Sequence, residues 1–461
     1  MLIVRRVTIH NWRAVEPGTT VQFSAGINLL IGAVATGKSA LLELLTMILR
    51  SDFSPVEDEP YDVEYQLEYV DLDSACHMTV RRMVGPCAGD RVRADDPADP
   101  ANKPDNKPDN KPANKPASDG SRLQLDIQLL VDDRRYHCTF ADGQIRMEHA
   151  GQILASHTLQ MEDALEPLSW ALIAIAGRGE VELKASIGMV GDLLRGHYRA
   201  VLLDPGLDVF RAITGTPSAF CDAASVQLRH PLPLATIARL GSSVPGFASV
   251  QLAYQAQVRL KAQPEATTLV VRHDELPMFE RLIRILDVEH MQLELTRVSS
   301  EPLAEATLYR YGYFRFVFKF KNRDAEIDHH QLSYGQKRLL ALMYCLDADA
   351  DHLIADGLPG GLPLDWLAEI LGNLLGDPSA SCQVFASYDD PRLLRYLPEN
   401  HPAHPLTGPR PLQAIACART EGGKLTWKTI AGAAAERLSE AHQSGPDALA
   451  ALLGERAAEA T

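Results

Sequence analysis

Near the start of the chain, Gly32-Ala33-Val34-Ala35-Thr36-Gly37-Lys38-Ser39 matches the pattern G-x-x-x-x-G-K-[ST]. That arrangement is built to hold phosphates. Consecutive backbone N–H groups and the start of the following helix form an anion nest. Lys38 then reaches the β- and γ-phosphates of a nucleotide, and the Ser39 hydroxyl ligates Mg2+. Ala35 and Thr36 stand where polar or glycine residues are more usual, yet they leave the backbone donors available. Two flanks support the reading. Gly26 to Ile31 is almost wholly apolar, as in a strand buried on both faces of a sheet. Ser39 to Leu49 carries Leu41, Leu42, Leu44, Leu45, Ile48 and Leu49, the pattern of a deeply buried helix.

Two more segments could complete such a site. Leu332-Ser333-Tyr334-Gly335-Gln336 opens a helical pattern with Leu339, Leu342, Met343 and Leu346 on one face. Taken alone it could be an ordinary helix cap. His352-Leu353-Ile354-Ala355-Asp356 has the form of a short strand ending in an acid. In this order, phosphate loop, Ser333-Tyr334-Gly335-Gln336 and Asp356 closely resemble ABC-type ATPases, whose signature is Leu-Ser-Gly-Gly-Gln, with Tyr334 in place of the first glycine. The resemblance implies that Ser333, Gly335 and Gln336 contact ATP bound by a second subunit, an anion at a helix N-terminus supplied in trans. It also implies that Asp356, like a Walker B acid, holds Mg2+ through its water shell. Asn11-Trp12-Arg13-Ala14 is similar to the Asn-Phe-Arg motif of SMC, RecF and OLD-like ATPases. In that group the arginine lies near the nucleotide, so Arg13 is a candidate phosphate contact; the alternative is a surface turn arginine.

The chain departs from this pattern at two positions. The family's glutamate after the Walker B acid is here Gly357, and its later histidine aligns with Asp389 in Ser387-Tyr388-Asp389-Asp390. Glycine can neither accept a proton nor orient water, and an anion beside the γ-phosphate is repulsive. Slow hydrolysis with intact binding is the expectation; the alternative is that Asp389 or Asp390 serves as base.

These residues need a framework. The expected fold is α/β, a P-loop NTPase of ABC-ATPase type whose mixed sheet carries an antiparallel β portion and a helical insertion. Strand patterns run from Leu2 to His10, Thr20 to Phe23, Tyr61 to Val84 and Leu123 to Phe140. Four Asn-Lys-Pro-x tetrapeptides from Asn102 to Ala117 cannot support a helix or a core, so about 86–120 is expected to be a disordered loop within a strand hairpin. Residues 1–150 and 271–430 form the two parts of the ATPase head, 151–270 the helical insertion, and 431–461 a helical tail. Phe279 to Leu286 reads as a helix, and Met291 to Arg297, Thr307 to Arg323 and Leu412 to Ala418 as strands. Alternation places Phe314, Phe316, Phe318 and Phe320 on an apolar face, with Arg315, Lys319, Lys321 and Arg323 on a solvated basic one. His329-His330 reads as a loop, and the pairs Arg5-Arg6 and Arg81-Arg82 as solvated strand residues.

Composition limits the rest. The chain has 461 residues, 46% hydrophobic and 23% charged, enough for a large core and unlike a rod or a disordered chain. Its net charge of −15 confines any nucleic-acid contact to a local patch. Seven scattered cysteines form no CxxC pair, which fits reduced thiols in a cytoplasm and gives no zinc signal. No run is long and apolar enough for a membrane span or a signal peptide, and with Asn11-Trp12-Arg13 this argues against a transporter subunit. The expected protein is a cytoplasmic homodimer sandwiching ATP, a nucleotide-gated switch in DNA repair or anti-phage defence. A separate effector or nuclease, and possible nucleic acid, are its implied partners. The alternative is a non-hydrolysing ATP-bound scaffold that tethers the effector.

Overall fold

The computed structural model describes residues 2–158, 200–203, 218–221 and 255–430, with breaks at 51, 57–58, 71–74, 86–121, 132–133, 142–143, 257, 261, 303–306, 323, 348–351, 359, 364, 368–369, 371–381, 389–411 and 421. The Asn-Lys-Pro tract, most of 151–270, Arg323, Asp389, Asp390 and 431–461 lie outside the described residues.

Strands β1 (Leu2–Asn11), β2 (Thr19–Gln22) and β3 (Ile27–Ile31) lead to helix α1 (Lys38–Arg50). Then come β4 (Tyr61–Val70), β5 (Ala75–Gly85), β6 (Arg122–Val131), β7 (Arg134–Ala141), β8 (Gln144–His149) and β9 (Gln152–Thr158). Strands β10 (Ala200–Leu203), β11 (Ser218–Cys221) and β12 (Thr268–Arg272) precede helix α2 (Pro277–Leu286). Strands β13 (Val288–Pro302), β14 (Thr307–Phe320) and β15 (Ile327–Asp328) precede helix α3 (Tyr334–Asp347). The described part closes with β16 (His352–Ala355), β17 (Gln383–Tyr388), β18 (Leu412–Arg419) and β19 (Leu425–Ile430).

These strands form three sheets. The first runs β2-β1-β4-β5-β6-β7-β8-β9 and is antiparallel throughout. β5 pairs directly with β6, so residues 86–121 connect the arms of a hairpin, as the sequence predicts. The second sheet runs β10-β16-β17-β3-β18-β19, parallel from β10 through β18 with β19 antiparallel at the edge. The third runs β11-β14-β13-β12, with β15 beside β14.

Helix α1 explains how the first two sheets pack. Its Leu41, Leu42, Leu44, Leu45, Ile48 and Leu49 are all buried in one core with Val4, Val7 and Ile9 of β1 and Ile415 and Cys417 of β18. Leu30 of β3 faces that core, while Ile27, Leu29 and Ile31 face a second core with Phe279, Phe316, Phe318 and Leu339. β3 is therefore covered on both sides, which is why its five residues are all apolar or, at Asn28, internally bonded. Each fully buried leucine here contributes about 1.5–3 kcal/mol over its exposed state. Buried amides stitch the sheets together. Gln383 accepts from Val4 N (3.0 Å) and donates to Val4 O (2.9 Å) and Ser24 O (2.7 Å). Asn28 Nδ2 donates to Ser24 O and Val384 O.

Several expectations need correction. Within 151–270, read as helical, the described residues include strands β9, β10, β11 and the start of β12 as well as helical residues at 255–256 and 258–260, and β10 pairs with β16 inside the parallel sheet. A short apolar run such as Val201-Leu202-Leu203 fits a buried helix and a buried strand equally well, and pairing decided for the strand. Arg82 is buried rather than solvated, on the inner face of β5. It donates to Tyr61 Oη (2.8 Å) and lies 4.2 Å over the Phe53 ring. Arg5, Arg6 and Arg81 do lie on the polar face, paired with Glu68, Glu64 and Asp62. On β14, Phe314, Phe316 and Phe318 are buried, whereas Arg315 pairs with Glu294 and Lys321 with Asp287. Arg315, and Lys321 just past the strand, are exposed and charge-paired, but Val317 between Arg315 and Lys319 is buried, so that side is not solvated throughout. Among the described residues, no helix is long and apolar enough to cross a membrane.

Candidate functional site

The parallel strands β16, β17 and β3 end on one edge of the sheet, where ligands of open α/β sheets bind. Asp356 directly follows β16, and the register pairs its neighbour Ala355 with Ala386 and Ala386 with Leu29. Asp356 and the phosphate loop after β3 thus share that edge, two strand spacings or roughly 10 Å apart.

The loop is braced by its own residues and by the β18–β19 hairpin. Lys38 Nζ donates to Gly32 O (2.9 Å) and Ala33 O (2.8 Å), and Thr36 Oγ1 donates to Ala33 O (2.8 Å). Ala33, Val34 and Ala35 form an exposed apex, while Thr36 and Lys38 are buried. A Cβ at Gly32 would stand 2.2 Å from Cys417 O, and one at Gly37 would stand 2.6 Å from Leu425 Cδ1. Gly32 is needed because the β18 backbone presses against the loop, and Gly37 because its φ of +83° is a left-handed conformation that disfavours a side chain. Trp427 Nε1 donates to Thr36 O (3.4 Å) and Arg419 Nε to Ala35 O (2.9 Å). Burial pushes the Cys417 thiol up to about 12, so the sulfur beneath the loop stays neutral.

At the acid turn, Ser387 Oγ donates to Asp356 Oδ1 (2.5 Å) and accepts from Gly357 N (2.7 Å). Asp356 Oδ2 accepts no hydrogen bond from a described residue. Gly357 has φ of +60°, with no atom of a described residue within 4 Å of the place a Cβ would occupy. Among the described residues, the place a side chain at Gly357 would take is therefore open above a left-handed turn.

Ser333 and Gln336 make a reciprocal cap at the start of α3: Ser333 N donates to Gln336 Oε1 (2.8 Å) and Gln336 N to Ser333 Oγ (3.4 Å). The helix-cap reading and the signature reading are compatible, since a capped N-terminus still presents its dipole. A Cβ at Gly335 would lie 2.2 Å from Gly361 O, and one at Gly361 would lie 2.5 Å from the Tyr334 ring. The tyrosine in place of the signature glycine is thus accommodated by a glycine opposite it.

Arg13 is held by two carboxylates. Its guanidinium forks onto Glu43 of α1 (2.7 Å) and onto Glu59 (2.9 Å), and the hydrogen bond to Glu43 foremost raises its pKa. These two ion pairs clamp the Trp12 turn to α1. His329 is also more than a loop residue. Its Nδ1 accepts from Phe316 N (3.1 Å), and burial lowers its pKa to about 4.

Sequence reasoning missed Arg338. Its side chain is wholly buried, and Nη2 donates to Asp356 O (2.8 Å) and Gly357 O (2.7 Å). A signal existed: Arg338 stands one helical turn before Leu342, on the apolar face of α3, where a charge is unexpected.

The arrangement can hold a nucleotide with Mg2+. Among the described residues no group of three or more His, Cys, Asp or Glu is placed to hold a metal. Mg2+ needs no such cage, since one carboxylate and one hydroxyl suffice beside phosphate and water oxygens. Asp356 and Ser39 are the candidates for that pair.

A glycine-rich loop between a buried parallel strand and a buried helix is the arrangement of a P-loop nucleotide-binding fold. Residues 6–72, which contain the phosphate loop, match a family model described as an AAA domain. Comparison with solved structures finds an Smc head bound to the C-terminal winged-helix domain of ScpA, at 12% identity and a TM-score of 0.44, covering 93% of this chain and 97% of that one. It also finds the Smc head with an extended coiled coil bound to the C-terminal domain of ScpA, from Pyrococcus furiosus (11% identity, TM-score 0.39, 95% and 99% coverage). A third is the SMC head domain from Thermotoga maritima (9% identity, TM-score 0.34, 93% and 99% coverage). No curated protein matches the chain.

Proposed function

We propose that this protein binds ATP and Mg2+ at the Gly32–Ser39 loop and dimerises around the nucleotide, as a switch that hydrolyses ATP slowly. The observation that carries the reading is the shared sheet edge. A buried lysine in a glycine loop and an acid on the second strand over are what phosphoryl binding requires. Asp356 and Ser39 hold Mg2+, the loop amides and Lys38 hold the phosphates, and Ser333, Gly335 and Gln336 meet the ATP of a second copy. The bound metal supplies charge neutralisation on the phosphates. The open turn at Gly357 supports slow chemistry, because this chain sets no side chain there to take a proton from water. The same observation favours the second reading, a scaffold whose bound ATP holds a separate effector. The likeness of Asn11-Trp12-Arg13-Ala14 to SMC, RecF and OLD-like ATPases supports a place in DNA repair or anti-phage defence.

The test is calorimetric titration of ATP into wild type and Lys38→Ala. Binding should be lost in the variant, because the substitution removes the side-chain cation aimed at the phosphates. Equal affinity in the two proteins sinks the assignment.

A further inference from the structure

Arg338 is a cation buried to 0% exposure that forms no ion pair with a carboxylate among the described residues. Its hydrogen bonds go to two successive carbonyls, Asp356 O and Gly357 O, and Nη1 lies 3.3 Å from Tyr334 Oη. Its Nε has no partner among the described residues. Burying a guanidinium on such terms is costly, and a packed helix needs no charge at that place. The surroundings are shaped to keep it: a Cβ at Gly360 would come within 3.0 Å of Nη1.

The arginine grips the backbone of the acid turn from one side while Ser387 grips it from the other. Ser387 holds Asp356 Oδ1 and Gly357 N, and Arg338 holds both carbonyls. The planar fork is rigid, so a shift of the first turn of α3, where Ser333 and Gln336 sit, moves the Asp356 backbone with it. We propose that Arg338 is a positioning residue, tying the Ser333–Gln336 helix start to Asp356 and thereby setting how strongly Mg2+ tightens ATP binding. The inference rests on Asp356 being the metal-side acid of the ATP site.

The readout is the ratio of ATP affinity with Mg2+ to that in EDTA, measured on the full-length chain by calorimetry and by tryptophan fluorescence. Groups that orient a metal ligand typically change metal affinity 10- to 100-fold when removed. Arg338→Lys keeps the charge but cannot bridge two carbonyls. It should leave the EDTA affinity within about twofold of wild type and lower the Mg2+ enhancement by about tenfold. Ser387→Ala should act in the same direction. A lowered unfolding temperature with an unchanged enhancement would make Arg338 purely structural and overturn the proposal. If Arg338→Lys does not fold, Tyr334→Phe decides. It removes one hydroxyl at a part-exposed site and should lower the enhancement by about two- to threefold, and an unchanged ratio overturns the coupling. A wild type that binds no ATP, or binds it without Mg2+ enhancement, refutes the underlying site reading instead.

Discussion

Gly357→Glu puts an acid where the ABC-type pattern has one, and the structure sets what it should cost and gain. The residue has φ of +60°, and its neighbours fix it there, with N bonded to Ser387 Oγ and O to Arg338. A non-glycine residue held left-handed costs about 1–2 kcal/mol. At about 2–4 °C per kcal/mol for a large domain, melting should fall by roughly 2–8 °C. No steric cost from the described residues adds to this, because none of their atoms lies within 4 Å of the new Cβ. A positioned base contributes about 10²- to 10⁴-fold, or about 3–5 kcal/mol of barrier. The pinned backbone fixes where the carboxylate emerges, so the low end, about 10²-fold, is expected. Gly357→Asn is the control, since it places a side chain that is no base at the position, with less backbone strain than glutamate. Phosphate release under single-turnover conditions should therefore be slow in wild type and in Gly357→Asn and faster in Gly357→Glu, with Asp389→His adding a further gain. Refutation is a Gly357→Glu protein that melts as expected, binds ATP and is no faster than Gly357→Asn. Brisk wild-type turnover that Asp389→Ala abolishes would equally show that the base lies elsewhere.

Gly32→Ala forces a methyl to 2.2 Å from Cys417 O, so the loop must move and ATP affinity should fall at least tenfold (about 1.4 kcal/mol) while the far antiparallel sheet keeps its hydrogen-exchange protection. ATP with Mg2+ should raise the mass seen by light scattering to that of a dimer, and Ser333→Arg should block the rise; a monomer at every nucleotide concentration contradicts the sandwich. His329 is held neutral in the fold, with its pKa lowered from 6.5 to about 4. The unfolded chain therefore binds the extra proton between those values, and stability is lost as pH falls from 6.5 toward 4, by about 2 kcal/mol at pH 5. His329→Gln should lose less on acidification than wild type in thermal melts at pH 7 and pH 5, and identical pH profiles would refute the assignment.

What the sequence disclosed and what it hid divide along the range of the interactions. The phosphate loop was legible because its donors, lysine and serine are contiguous, and its flanking strand and helix announce themselves by burial pattern. Asp356 was legible for the same reason, as an acid closing a four-residue apolar strand. Arg338 and Ser387 were not, since their purpose lies in contacts 18 to 31 residues away that no local pattern encodes. β19 sat between the two: Leu425 and Trp427 alternate with Thr426 and Lys428 after Gly422-Gly423, a hairpin signal overlooked beside the Ala-rich segment that follows. The Arg82 pair shows the opposite failure. Its sequence looks solvated, and a nearby phenol and ring claim it for the interior.

The order of strands in the parallel sheet also governs how the chain must be made. β3 is completed by β17 and β18, and Asn28 meets Val384 across 356 residues of sequence. At ribosomal rates, roughly 20–70 s separate the synthesis of those partners. The first sheet can assemble meanwhile, because β4 to β9 join neighbour to neighbour in hairpins of low contact order. β3 and one side of α1 then wait with their apolar faces exposed until the C-terminal strands emerge. Substitutions that slow the late strands should therefore deplete the protein through aggregation during synthesis, even where the finished fold tolerates them.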